Sequence, residues 1–352
     1  MIIIEKLRNI IGYYHWLFLA RKGFKIIRNY NLCLRPGYYF VSCNVRSYLY
    51  RKDTPENFLE MIGVDISKPK LLAFCVKKQK ESIDIICDVV MTTNEGFRFY
   101  NTTEKTTLHL FESEEEACLY RKCYSLFSPF FSLTISNITE AYSIENIIYN
   151  RHRKDWSKEE LRTNYRMILE NYSSYLRTAE KFLLDIRTTI KISDAAGGDY
   201  ISLCKDLLEE IKPISNLIYV FSHGDLHLGN ILFDGKKQYL IDFEKARNEV
   251  FYYDLLNVIY VEATDYGNYS FLNEYLDGKA TIIHHFEKAF DAVGELFDIK
   301  QRIVYLKLFL LLRLNYDVEY YLLNNFLSKS ENKISVIKDF KRYIDNYINN
   351  EF

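Results

Sequence analysis

One stretch of 24 residues, Phe221–Glu244, constrains the fold of this chain more than any other. It reads FSHGDLHLGNILFDGKKQYLIDFE, in which polar turns alternate with short apolar runs, so a turn, a strand, a second turn and a second strand follow one another. In that arrangement the side chains of Asp225, Asn230 and Asp242 can converge on one spot. A carboxylate that takes a proton, beside an amide and a carboxylate that hold a metal ion, is suited to moving a phosphoryl group.

Each of these side chains has a chemical reason for its place. Asp225 would accept the proton of an attacking hydroxyl, or chiefly orient that hydroxyl in line with the phosphorus atom. Asn230 offers a neutral oxygen and Asp242 a charged one, and both are hard donors that suit Mg²⁺. Gly224 and Gly229 allow a tight backbone just before Asp225 and Asn230.

The stretch resembles the aminoglycoside phosphotransferase and choline kinase family, the small-molecule branch of the protein-kinase-like fold. The resemblance is carried by HGDLHLGN, an apolar strand and IDFE, where protein kinases have H-R-D-x-x-x-x-N and D-F-G. Asp225 stands five residues before Asn230, and Asp242 lies twelve further on, in the same order. Outside these residues the resemblance is architectural only.

The resemblance implies an α+β, bilobal fold. A small antiparallel-sheet N-lobe would hold one helix, and a larger, mainly helical C-lobe would hold the catalytic loops. It also implies ATP or GTP as phosphoryl donor, Mg²⁺ as cofactor and a small-molecule hydroxyl as acceptor, of the aminoglycoside, amino alcohol or sugar type.

Other side chains in and near the stretch are assigned supporting roles. His223 is expected to pack and hydrogen-bond inside its loop, and His227 to do the same or to contact phosphate. Phe243 would anchor the second loop, and Glu244 would hydrogen-bond to nearby backbone. Asp254, in YYDLLNV, resembles the family's later aspartate that braces the catalytic loop; a plain helix N-cap is the alternative.

The family's small lobe normally carries a strand lysine that grips the α- and β-phosphates and pairs with a helix glutamate. In KTTLHLF the corresponding residue is His109, a poorer phosphate ligand, and Lys105 lies four residues earlier on the same side of an ideal strand. Glu116, or its neighbour Glu114 or Glu115, is the predicted helix partner. Lys105, His109 and Glu116 are therefore the predicted nucleotide-binding residues.

In the first part of the chain, the pattern of apolar and polar residues changes near residue 70. Residues 1–69 predict an N-terminal extension, helical and irregular, with irregular chain through NLCLRPGYYF and a short helix at Pro55–Ile62. Residues 70–147 alternate β-branched and aromatic runs with polar turns, which predicts a β-rich, nucleotide-binding N-lobe. Ser113 can cap the helix of that lobe.

The second part of the chain, residues 148–352, predicts a helical C-lobe with acceptor-binding helices after the catalytic loops. Residues 158–190 form a long amphipathic run, and ILFDGKKQYL is a hairpin-like insert with an Asp-Gly turn. The apolar segment 303–316 contains Lys307 and Arg313, which favours a buried bundle helix over a membrane span.

Composition limits the classes of partner and compartment. With 46 basic against 47 acidic residues, the chain lacks the basic excess of a nucleic-acid-binding protein. Its 30 tyrosines and 24 phenylalanines are best explained by genome base composition. The seven cysteines form no C-x-x-C pair and lie mostly in apolar runs, which predicts buried, reduced thiols in a cytoplasmic protein.

Residues 1–30 leave two interpretations open. Their apolar run IIGYYHWLFLA is too short to span a bilayer, and no secretory signal is present. Lysines and arginines flank this run, so the segment would either lie on the anionic inner surface of the membrane or pack as a helix on the protein body.

Three functions are compatible with these motifs. The first is an ATP- and Mg²⁺-dependent kinase that phosphorylates a small-molecule hydroxyl. The second is a kinase that acts on a protein, although no A-P-E-like segment follows Asp242. The third is a nucleotide-binding pseudokinase, which the absence of the strand lysine favours and the presence of Asp225, Asn230 and Asp242 opposes.

Overall fold

A computed structural model of the chain describes residues 32–43, 47–66, 71–76, 85–93, 96–111, 113–149, 153–186, 190, 192, 197–211, 216–323 and 327–350. These residues form two compact units. The sheet unit comprises the described residues within 1–125, 132–151 and 232–240, and the helical unit comprises those within 126–131, 152–231 and 241–352. The segment 1–30, predicted either to contact a membrane or to pack on the protein body, lies outside the described residues.

The sheet unit is built mainly from short strands. Its helices are α1 (Glu56–Met61) and α2 (Glu114–Phe127). The strands that lie mainly in this unit are β1 (Leu32–Leu34), β2 (Gly37–Cys43), β3 (Ser47–Arg51), β4 (Leu71–Val76), β5 (Ile85–Cys87), β6 (Val89–Thr93), β7 (Gly96–Asn101), β8 (Thr106–Leu110), β9 (Ser132–Leu133), β10 (Ile135–Ile138), β11 (Tyr142–Asn146), β14 (Ile231–Phe233) and β15 (Gln238–Leu240).

Eight of these strands form one sheet in the order β10-β11-β8-β7-β6-β3-β2-β4. Every neighbouring pair in it is antiparallel, as predicted. β1 pairs with β5, and the hairpin β14-β15 adds β9 as a third strand. The hairpin predicted for ILFDGKKQYL is therefore present, and β15 lies parallel to β9.

The irregular chain predicted through NLCLRPGYYF is wrong, because this segment forms β1 and the start of β2. Along β2, Tyr39 and Val41 are buried while Tyr38 is 55% exposed, so the segment has the two-residue period of a strand. β2 pairs with β3 on one side and with β4 on the other. Residue 70 therefore does not separate an extension from the sheet, whereas the short helix predicted at Pro55–Ile62 is confirmed as α1.

The helical unit combines seven long or medium helices with a small sheet among its described residues. The helices are α3 (Lys158–Thr178), α4 (Gly198–Glu210), α5 (Tyr253–Thr264), α6 (Ser270–Leu276), α7 (Ala280–Val293), α8 (Arg302–Leu323) and α9 (Leu327–Asn350). The sheet has the order β12 (Phe182–Asp185), β13 (Asn216–Ser222) and β16 (Arg247–Val250). Short 3₁₀ turns lie at Arg153–Asp155, Leu228–Asn230 and Ile299–Gln301.

In the described residues, a strand interrupts the long amphipathic run predicted over 158–190. Ser157 and Glu160 form a capping box that begins α3. The helix ends before Ala179, which is extended, and β12 then pairs antiparallel with β13. Pairing with a strand more than thirty residues away along the chain outweighs the local helical pattern there.

Two helices form the buried centre of the helical unit. α5 is buried from Tyr253 to Ala263, including its polar residues. α8 confirms the buried helix predicted for 303–316, and its Lys307 pairs with Glu210 and, at 3.2 Å, with Asp345. Within the described part of the chain, no helix is both long and apolar enough to cross a membrane.

The cysteines with described side chains are all free thiols. Cys87, Cys123 and Cys204 are buried, as predicted for the cysteines in general. Cys75 and Cys118 are exposed, so the prediction is wrong for them. Cys75 lies on β4, which is the edge strand of the large sheet.

Candidate active site

The loop that follows β13 is tied to the first turn of α5. The backbone N–H groups of His223 and Gly224 donate to the two carboxylate oxygens of Asp254, at 2.8 and 3.0 Å. Burial raises the pKa of Asp254, and the charge of His223 and the backbone donors oppose that rise. Because Tyr252 is the N-cap of α5 and Asp254 lies inside the helix, the N-cap alternative is wrong, and the contacts agree with the predicted brace.

Gly224 is required by both its conformation and its surroundings. Its φ is +77°, in the left-handed region that favours glycine. A Cβ atom at this position would lie 2.0 Å from the carbonyl oxygen of Lys245. The loop therefore passes directly against the backbone that follows Asp242.

We expect Gly224→Ala to lower the free energy of unfolding by at least about 2 kcal/mol, because left-handed strain and a backbone clash act together. Gly294→Ala is the matched control, since Gly294 has a φ of +85° but open space around its Cβ position. Urea unfolding measures both. Equal losses for the two variants would mean that the close approach at Gly224 contributes nothing.

His227 and Gly229 shape the turn before Asn230. The N–H of Gly229 donates to Nδ1 of His227 at 3.0 Å, so the ring caps the 3₁₀ turn. Burial lowers the pKa of His227, against the charge of Asp225. A Cβ on Gly229 would lie 2.7 Å from the His227 ring and 2.8 Å from the Tyr266 hydroxyl. The structural role predicted for His227 is thus present.

Asp225 is buried, and each of its carboxylate oxygens faces a cation. Nζ of Lys245 lies 2.7 Å from Oδ2, and Nη1 of Arg313 lies 3.3 Å from Oδ1. Burial alone would raise the pKa of Asp225, but Arg313 and Lys245 together lower it below its usual range. The site therefore holds Asp225 as an ionised carboxylate.

Arg313 belongs to a buried network that the sequence motifs do not assign to the site. Its Nε donates to Asp317 at 2.9 Å, and its Nη1 donates to Asn257 at 2.8 Å. Asn257 in turn donates to the carbonyl of Leu226 at 3.0 Å. The signal in the sequence is a charged residue inside the apolar run 303–316, because such a residue needs a buried partner.

The contact of Lys245 with Asp225 is not predictable from the sequence, for a different reason. It lies three residues after Asp242, just past the end of the motif IDFE. No local pattern distinguishes a lysine that contacts a carboxylate 20 residues earlier from a solvated one. Only the return of the chain past Gly224 brings its ammonium to Asp225.

Asn230 and Asp242 lie on neighbouring segments. Nδ2 of Asn230 donates to the carbonyl of Asp225 at 3.0 Å, which leaves its Oδ1 as the oxygen for a ligand. The N–H of Ile241 donates to the carbonyl of Asn230 at 3.1 Å, so Asp242 follows directly beside it. Asp242 is exposed and has a φ of +68°, which is unusual for a residue with a side chain.

The oxygens of this pair fit a hard cation such as Mg²⁺, which is commonly held by one or two protein groups together with substrate phosphates. Among the described residues, no group of three or more His, Cys, Asp or Glu side chains is arranged to hold a metal.

The segment of Asp242 is anchored by the next residue. The ring of Phe243 stacks on Phe127 with centroids 6.0 Å apart, and it packs against His223 at 5.3 Å. Nε2 of His223 donates to the carbonyl of Ile241 at 2.9 Å. These contacts agree with the roles predicted for His223 and Phe243. Glu244 is exposed in the following turn.

In the sheet unit, His109 lies on β8 and is buried between carboxylates. Its Nε2 lies 3.2 Å from Oε1 of Glu116, and its Nδ1 lies 4.0 Å from Oε1 of Glu145. Arg98 of β7, on one side of β8, pairs with Glu145 of β11, on the other side, at 3.4 Å. The structure thus brings together the predicted strand and helix partners, His109 and Glu116.

Lys105 does not join this cluster. It lies in the turn before β8 with a φ of +55°, is exposed, and places its ammonium 5.9 Å from the ring centroid of Tyr149. The prediction that it shares a strand face with His109 is wrong, because β8 begins only at Thr106. The cap predicted at Ser113 is confirmed by its hydrogen bond from the N–H of Glu116, at 3.1 Å.

A comparison with protein families matches one part of the chain. The model of the phosphotransferase enzyme family, APH, matches residues 173–286, which include Asp225, Asn230, Asp242 and Asp254. The predicted resemblance to that family is confirmed. The prediction of a phosphotransferase agrees with this match, and the antiparallel sheet followed by long helices agrees with the predicted α+β fold.

Solved structures of other phosphotransferases are similar to this chain. Amicoumacin kinase hAmiN, in complex with AMP-PNP, Ca²⁺ and Ami, has 14% identity, a TM-score of 0.44, and coverage of 69% of this chain and 84% of its own. A choline/ethanolamine kinase family protein from Mesorhizobium loti has 12% identity, a TM-score of 0.44, and coverage of 72% and 89%. A thermostable mutant of aminoglycoside phosphotransferase APH(4)-Ia, with ADP and hygromycin B, has 13% identity, a TM-score of 0.44, and coverage of 72% and 93%. No curated protein sequence matches the chain.

Proposed function

We propose that this phosphotransferase moves the γ-phosphoryl group of ATP, or of GTP, to a hydroxyl of a small molecule with Mg²⁺ as cofactor. The observation that carries the proposal is a pair of hydrogen bonds in the helical unit. Asn230 donates to the carbonyl of Asp225, and Ile241, which precedes Asp242, donates to the carbonyl of Asn230. A buried carboxylate and two oxygen donors on adjacent segments are the groups that phosphoryl transfer to a hydroxyl requires.

Asp225 would act first by orientation. Lys245 and Arg313 keep the carboxylate of Asp225 ionised. In this form it accepts a hydrogen bond from the acceptor hydroxyl and aligns that hydroxyl, but it is a weak base. The proton would therefore pass to Asp225 late, when the new bond to phosphorus has made it acidic. The brace from Asp254 keeps the loop of Asp225 in place while this happens.

Asn230 and Asp242 would hold Mg²⁺ through their side-chain oxygens. When bound, the ion neutralises charge on the β- and γ-phosphates. The hydrogen bond from Asn230 to the backbone of Asp225 keeps the amide oxygen turned away from that carbonyl. His227, Phe243 and the turn at Glu244 would support this arrangement.

His109 is proposed to contact the nucleotide in place of the usual lysine, with Glu116 as its helix partner. We expect His109→Ala to raise the KM for ATP roughly tenfold, which corresponds to one charge-assisted hydrogen bond. Lys105→Ala is the matched control and should leave the KM for ATP within about twofold of wild type, because Lys105 lies in the turn outside β8. Steady-state kinetics at varied ATP measures both. A raised KM for ATP only in the Lys105 variant would mean that Lys105, and not His109, contacts the nucleotide.

The experiment that tests the proposed function is a transfer assay. The protein is incubated with γ-labelled ATP or GTP, MgCl₂, an added test protein and pooled small-molecule acceptors, namely aminoglycosides, amino alcohols and sugars, and labelled products are separated by mass. Label on an acceptor supports the proposal. Tight nucleotide binding without transfer to any acceptor would favour the pseudokinase, and label only on added protein would favour a protein kinase.

A further inference from the structure

The two cations at Asp225 are held very differently. The Arg313 side chain is 5% exposed and is locked by Asp317 and Asn257 as well as by Oδ1 of Asp225. The Lys245 side chain is 32% exposed and contacts Oδ2 at 2.7 Å. Arg313 therefore closes one side of the carboxylate, while the side of Lys245 remains accessible.

This asymmetry decides where an acceptor hydroxyl can arrive. A hydroxyl that hydrogen-bonds to Asp225 cannot reach Oδ1 through the buried Arg313, so it must approach Oδ2 beside the ammonium of Lys245. Its oxygen would lie about 2.7 Å from the carboxylate. The phosphorus to be attacked would be about 3 Å farther, which brings phosphoryl oxygens within reach of the same ammonium.

We propose that Lys245 is a catalytic residue of this site, one that contacts Asp225 and the transferring γ-phosphoryl group at the same time. The inference rests on the proposed function. An ammonium has three N–H donors, and the described contact with Oδ2 uses one of them. A compact, mobile point charge suits a phosphoryl group whose oxygens move during transfer.

Atoms and charges balance in this step. The acceptor oxygen forms a bond to the γ-phosphorus, and the bond from that phosphorus to the β,γ-bridging oxygen breaks with its electron pair on ADP. The hydroxyl proton passes to Asp225 and then to solvent. Lys245 stays an ammonium throughout, since its contact with Asp225 stabilises the charged form. Its positive charge stabilises the negative charge that the phosphoryl oxygens carry in the transition state.

The test compares Lys245→Met with Lys236→Met, an exposed lysine in the β14-β15 turn. We expect Lys245→Met to lower kcat for acceptor phosphorylation by about 10²–10³-fold, the usual effect of removing one transition-state donor. Lys236→Met should leave kcat unchanged. Lys245→Arg, which keeps the charge, should retain part of the rate, and thermal unfolding identifies any variant that does not fold.

A binding measurement separates contact with the phosphoryl group from an effect through Asp225. The probes are ADP alone and ADP with Mg²⁺ and aluminium fluoride, which imitates a phosphoryl group in transfer. Lys245→Met should weaken only the aluminium fluoride complex, by a factor similar to the loss in kcat. Unchanged affinity for that complex would overturn the inference, even if kcat falls, because Lys245 would then act only through Asp225.

The outcomes also separate this inference from the proposed function. If wild type phosphorylates an acceptor and Lys245→Met is equally fast, the inference is overturned while the proposed function stands. If wild type phosphorylates no acceptor, the proposed function fails. The aluminium fluoride comparison still decides whether Lys245 contacts a phosphoryl group.

Discussion

Replacement of Asp225 by asparagine is expected to lower kcat for acceptor phosphorylation by about 10²–10⁴-fold, the usual contribution of a positioned acid–base group. The amide keeps the shape of the side chain but removes the negative charge that orients the hydroxyl and later takes its proton. Because the affected interaction is made with the reacting hydroxyl, the KM for ATP should change little. Steady-state kinetics with the acceptor found in the transfer assay measures the effect.

The control for this variant is Asp206→Asn, which makes the same chemical change at an exposed position on α4. It should retain the full rate. Thermal unfolding of both variants is needed, because the Asp225→Asn change leaves Lys245 and Arg313 without their shared carboxylate. A folded Asp225→Asn enzyme with more than about a tenth of the wild-type kcat would contradict the role given to Asp225.

Replacement of Arg313 by methionine is expected to lower the free energy of unfolding by about 3–5 kcal/mol, the usual cost of breaking a buried ion pair. Methionine fills much of the space, but Asp317 keeps a buried charge without its guanidinium partner, and Asn257 loses a hydrogen bond. The damage should therefore come from the uncompensated carboxylate. Urea unfolding at constant pH measures it as a lower midpoint with an unchanged m-value.

The double variant Arg313→Met, Asp317→Leu tests that explanation. Removing both charges should recover part of the lost stability, since a buried pair is often replaced by apolar side chains at little cost. A double variant less stable than Arg313→Met alone would mean that Asp317 stabilises the fold through other contacts. Activity should remain low in both variants, because Asp225 loses its buried cation.

The predictable parts of the site lie within one local stretch. Asp225, Asn230 and Asp242 are separated by short segments, and the glycines and turns between them restrict how the backbone can run. The brace from Asp254 is anticipated only through the family resemblance, and the structure selects it over the N-cap. The antiparallel sheet followed by helices is predictable from the change in hydrophobic period along the chain.

The secondary structure predicted for two segments is wrong because long-range pairing outweighs the local pattern. The local pattern of β12 is helical, and Pro36-Gly37 at the start of β2 is typical of irregular chain. Each segment is a strand because of hydrogen bonds to segments distant in sequence. The prediction for Lys105 is wrong because it places this residue on β8, whereas β8 begins one residue later, at Thr106.

The sequence by itself therefore determined the chemical groups of the Phe221–Glu244 stretch and their order, since backbone geometry links residues so close together. Only the tertiary structure decided the electrostatic state of that stretch. Arg313 reaches Asp225 across 88 residues and Lys245 across 20, and both contacts depend on how the buried helices and the return past Gly224 pack. Charges act through space, so the properties of Asp225 were set by partners that no local motif contains.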